Sequence, residues 1–82
     1  MQPDYILAHK HSSKHKSEIF ASTDCGCFYC RQIFLPTEIF DWIDNKQTAI
    51  CPHCGVDAVV GSASGITVTK HLLNQMHDHW FK

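Results

Sequence analysis

The chain has 82 residues, with seven Lys and Arg against eight Asp and Glu, for a formal net charge of −1 with neutral histidines. That balance excludes a broadly basic nucleic-acid surface, and no apolar run approaches the roughly 20 residues a membrane helix needs. One small domain is expected, whose core supplies only about 3–5 kcal/mol, so a further staple is required.

Residues 1–11 show no periodicity and read as an N-terminal tail, with 12–82 as the folded domain. Met1 to Tyr5 lacks the charged-then-apolar layout of a signal peptide, so a cytoplasmic protein is expected. Tyr5-Ile6-Leu7 is a short apolar run able to pack or hang loose. His9, Lys10, His11, Lys14, His15 and Lys16 form a cationic cluster. It reads as a solvated face, an anion contact through Lys10 and Lys14, or a metal pair at His11 and His15. Ser12 or Ser13 caps a helix running to about Ser22, with Ile19 and Phe20 on its buried side.

Gly26 gives the backbone freedom to leave that helix, and Arg31 to Phe34 alternates as a short strand. Pro36 opens a short helix over 37–43, in which Ile39, Trp42 and Ile43 make one apolar stripe. Asp44-Asn45-Lys46 ends it in a turn. Thr48-Ala49-Ile50 and Val56 to Val60 form a hairpin about Cys51-Pro52-His53-Cys54-Gly55. Asp57 falls in its second strand, and its carboxylate is expected to bond the backbone of the small-residue loop Gly61 to Gly65 or a neighbouring hydroxyl. That loop packs against an aromatic such as Trp80 or contacts a ligand; it lacks the lysine of a phosphate loop. Ile66 to Val68 returns as an edge strand. Thr69 caps a last helix from Lys70 to about Trp80, with Leu72, Met76 and Trp80 inward and Phe81 docking its end.

Two C-x-x-C pairs, Cys27/Cys30 and Cys51/Cys54, have the spacing of one tetrahedral four-thiolate site. One structural zinc ion is the expected occupant. Its closed shell leaves no position for an activated water, so no enzyme is expected. Four thiolates against the ion's two charges take the protein to a net charge of about −3. Iron is the rival metal, since rubredoxin-like proteins share the C-P-x-C-G turn; Arg31 stands where those have glycine. The odd thiol, Cys25, reads as a packed small residue, a substitute ligand for Cys27, or a reactive thiol. His53, His71, His77 and His79 have no nucleophile or bound water fixed beside them and read as structural.

Cys25-Gly26-Cys27-Phe28-Tyr29-Cys30, Pro36, Glu38, Ile39, Trp42, Thr48-Ala49, Cys51-Pro52-His53-Cys54-Gly55, Asp57, Gly61 to Gly65 and Trp80-Phe81 together resemble an uncharacterised family of short bacterial and phage-borne cytoplasmic proteins. The resemblance implies a small zinc-ribbon-like protein and leaves its partner open. The expected fold is α+β and zinc-ribbon or treble-clef-like, with an N-terminal helix, a short middle helix, a small antiparallel sheet and a C-terminal helix. The expected function is a non-catalytic module that binds another protein. A nucleic-acid binder using the Lys10–Lys16 segment is the alternative, and a phage-type inhibitor of a host protein is a special case of the first.

Overall fold

The computed structural model describes residues 4–81. Its centre is the strand β1 (Cys25–Cys27), which pairs antiparallel on one side with β2 (Ile33–Phe34) and on the other with β5 (Val59–Gly61). Cys25 lies opposite Phe34 and Gly61, and Cys27 opposite Val59. A separate hairpin joins β3 (Trp42–Ile43) to β4 (Thr48–Ala49), with Trp42 opposite Ala49. The expected α+β class is what the chain forms. Its radius of gyration, 11.1 Å, is close to the ~11.7 Å of a compact domain this long.

Helix α3 (Lys70–Trp80) lies where its pattern places it, and Thr69 Oγ1 accepts the Leu72 N–H at 3.1 Å as the cap. Its Leu72, Leu73 and Met76 are buried. A Cβ on Gly26 would come within 2.8 Å of Leu73 Cδ1 and Val68 Cγ1. Glycine is therefore needed there because α3 packs directly on the strand backbone, and not for an exit from a helix.

Four local readings change. The tail's residues Asp4–His9 form a helix, α1, with Ala8 buried, and α1 packs on α3 through the Tyr5–His79 and His9–Trp80 rings; Met1 to Pro3 lie outside the described residues. The next helix, α2, is only Lys16–Ala21, with Ile19 buried and Phe20 59% exposed. Lys14 and His15 therefore precede it rather than form its first turn. Third, the middle helix shrinks to one 3₁₀ turn, Pro36–Glu38, where the Leu35 N–H donates to Glu38 Oε2 at 2.7 Å. Seven residues rich in Ile, Phe and Trp nucleate a helix poorly, and Trp42-Ile43 gains more as a strand. The Asp44-Asn45-Lys46 turn, with φ of 55°, 58° and 66°, folds that strand back onto β4.

Fourth, β4 and β5 do not pair with each other, so the second thiol turn hangs between two different sheets. Asp57 lies exposed in a bend before β5, and Ile66 to Val68 form no strand. The small-residue loop, a 3₁₀ turn over Ser62–Ser64, packs on the end of α2 rather than on Trp80. There Ser22 Oγ accepts the Ala63 N–H at 2.9 Å, and Ser62 Oγ accepts the Thr23 N–H at 3.0 Å.

Candidate metal centre

The first thiol turn is the loop of the β1–β2 hairpin. The Cys27 N–H donates to the Gln32 carbonyl at 3.0 Å, and the Arg31 N–H donates back to the Cys27 carbonyl at 2.7 Å. In the second turn the Cys51 N–H donates to Val56 and the Gly55 N–H to Cys51, both at 3.0 Å. Both turns close through a left-handed residue, Arg31 at φ 64° and Gly55 at φ 77°. The Arg31 carbonyl is held in turn by Lys70 Nζ at 2.7 Å.

These two turns face each other. The sulfurs of Cys27, Cys30, Cys51 and Cys54 all lie within 4.8 Å of one another. Two cross-turn pairs, Cys27–Cys54 and Cys30–Cys51, are 3.6 Å apart. A disulfide needs about 2.05 Å, whereas sulfurs held ~2.3 Å from the centre of a tetrahedron stand roughly 3.8 Å apart. The four residues therefore fit a metal ion and can hold one. Cys27 and Cys51 are buried and Cys30 and Cys54 half-buried, one of each per turn. The His53 N–H points at Cys51 Sγ at 3.4 Å, a contact that stabilises a thiolate.

Burial raises the Cys27 thiol, the Cys30 and Tyr29 N–H groups oppose that shift, and the adjacent Cys51 and Cys54 sulfurs add to it. A divalent ion reverses that balance, because a coordinating thiol is deprotonated outright. Cys25 lies outside the cluster, fully buried in β1. Burial first, and then Asp24, pushes its thiol up to about 12. Such a group stays a neutral packed thiol and is not a nucleophile.

The cationic cluster resolves differently from any metal reading. His15 is buried, and its Nε2 accepts the Ala49 N–H at 3.0 Å. That nitrogen carries no proton, so Nδ1–H donates to the His11 carbonyl. Both ring nitrogens are used, which leaves no lone pair for an ion shared with His11. His11 Nδ1 instead meets Glu18 Oε1 at 2.8 Å. Lys10 and Lys14 are exposed beside that carboxylate. His71 is exposed, His77 stacks on Phe81, and His79 contacts Tyr5 and Trp80. His53 lies 3.9 Å from Glu38.

Sequence reasoning missed the His15 latch. A histidine among lysines gives no local sign of the Ala49 N–H, 34 residues on, that it meets. Compared with family models, curated proteins and solved structures, the chain matches none. Among the described residues no helix is long and apolar enough to cross a membrane.

Proposed function

We propose that the protein is a small non-catalytic zinc-binding module of the cytoplasm that docks on another protein. One structural zinc ion in the Cys27, Cys30, Cys51 and Cys54 cage holds its shape. Four soft thiolates at tetrahedral spacing favour zinc or iron over hard cations. A full thiolate shell supports a structural role, since no ligand position is left for water.

The observation that carries the docking reading is the number of exposed apolar side chains in the segment around Trp42. Phe40 is 80% exposed, Leu35 and Ile43 are exposed, and the exposed Phe20 ring lies 5.4 Å from Trp42. Burying one such side chain is worth about 1.5–3 kcal/mol, so a monomer gains nothing by displaying several within one short segment. Glu38, Asp41 and Asp44 lie in the same segment, which favours a protein over a polyanion. Membership of the short bacterial and phage-borne family, and inhibition of a host protein, are narrower forms of the same proposal.

The test is a pull-down from the native host's lysate with zinc-loaded wild type and a Phe40→Asp variant. Phe40 is too exposed for the variant to disturb the fold. A captured protein lost on substitution is the expected result. A captured set unchanged by the substitution contradicts the docking face. Retention on heparin with a steep loss in salt would replace this reading with nucleic-acid binding.

A further inference from the structure

Asp57 stands out in the sequence as an acid flanked by apolar residues, and neither the metal cage nor the Trp42 surface uses it. It lies exposed on the rim of a cavity of about 420 Å³. Four separate stretches of chain converge there: His9 and Ser13, Phe28 between the first two thiols, Asp57 just past the second pair, and Trp80 with Phe81. The His9 ring stacks on Trp80 at 3.9 Å between centroids, and Phe28 lies 5.6 Å from Phe81 and 6.0 Å from His9. Asp57 has no ion-pair partner among the described residues.

A concave aromatic wall with one convergent charge is the usual composition of a small-ligand site, and a volume of roughly 300–1,000 Å³ is its usual size. Ring faces carry negative charge and attract cations, more strongly once water is displaced. A carboxylate at the rim adds a second term of the same sign. We infer that this cavity binds an alkylammonium group, methylated rather than bare, either free or on a lysine side chain of a partner. Methylation favours the aromatic wall because a bare ammonium is strongly hydrated and gives up its water reluctantly. Because Phe28 lies in the first thiol turn and Asp57 directly follows the second, the wall forms only while the cage is assembled. The site is separate from the Trp42 surface, so either can fail alone.

The probe is choline, added to the zinc-loaded full chain at about pH 8, where an ordinary histidine is neutral. The two indole N–H signals are followed by NMR. The Trp80 signal moves and saturates at millimolar choline while that of Trp42 stays fixed. The uncharged isostere 3,3-dimethylbutan-1-ol binds at least about 5-fold more weakly, and Asp57→Asn weakens choline by a similar factor. A second arm compares a short trimethyllysine peptide with choline and so separates a protein-borne group from a free one. An unmoved Trp80 signal at tens of millimolar in both arms overturns the inference. So does equal binding of the alcohol, which needs no variant, or an unchanged affinity in Asp57→Asn.

Discussion

In the first thiol turn Cys27 bonds to Gln32 and Arg31 bonds back to Cys27; in the second, Cys51 bonds to Val56 and Gly55 back to Cys51. Each turn offers one buried and one half-buried sulfur, and each ends in a left-handed residue. Their supports differ. The first turn grows from the central strand of a three-stranded sheet, with Phe28 buried and Tyr29 edge-on to Phe81 at 4.9 Å. The second bridges two sheets, and its approach strand β4 is pinned by the His15 ring reaching across to Ala49. The same backbone is thus built from unlike sequences. A turn closed by N–H···O bonds constrains only a few positions, and the packing around it is free to vary.

Breaking a ligand should have the largest effect. A structural zinc contributes an apparent ~10–16 kcal/mol to folding, so Cys51→Ser is expected to abolish cooperative unfolding and the near-UV circular dichroism. Cys27→Ser should be as severe, since both leave a buried hydroxyl in place of a donor. Cys30→Ser and Cys54→Ser, at the half-buried positions, should lose metal to a chelator more readily than wild type yet retain some fold. Equal damage at all four positions would show that burial within each turn does not matter.

The support of the second turn comes next. His15→Ala strands the Ala49 N–H and the His11 carbonyl and should cost about 2–3 kcal/mol by urea unfolding of the zinc-bound protein. Acid should act on the same latch. Burial holds the folded His15 below its ordinary value of 6.5 against the opposing His11 carbonyl and Glu18. The unfolded chain therefore binds the extra proton first. The stability that neutral His15 carries is complete above pH 6.5 and is lost as pH falls from there toward the lowered folded value. Thiolate protonation also loosens the cage at low pH, so the readout is the difference between wild type and His15→Gln. A glutamine amide keeps a donor and an acceptor without titrating. Parallel pH profiles would remove His15 from the account.

The left-handed positions give the smallest effects. Gly55→Arg should destabilise by about 1–2 kcal/mol, because a Cβ is unwelcome at positive φ. Arg31→Gly should stabilise by ~0.5 kcal/mol, the strain relieved less the entropy that glycine adds to the unfolded chain. Opposite signs in matched thermal melts would establish that the two turns share one backbone requirement.

The cage was readable because two C-x-x-C pairs need only spacing to be recognised, and the last helix because Leu72 and Met76 repeat with a capping threonine ahead of them; Trp80, third in that repeat, is 40% exposed, and Leu73 takes the inward place instead. Arg31 stands where rubredoxin-like proteins have glycine. Its backbone lies in the same left-handed region as that of Gly55, so residue type hides a shared conformation. Ile39, Trp42 and Ile43 fit a helical stripe and also fit a strand ahead of a tight turn; seven residues cannot separate those periods. Which strands pair is a long-range choice. Nothing local to Val59 says that it meets Cys27 rather than β4. The latch and the Asp57 cavity join residues that are far apart in the chain, and a single sequence does not register such meetings.

Whether one zinc ion bound by four thiolates holds this fold is decided by native mass spectrometry of freshly purified, untagged protein. A fold held by zinc gives a compact charge-state distribution carrying the mass of one zinc ion per chain, and shifts to an extended distribution once the metal is stripped. A compact distribution at the metal-free mass would contradict it.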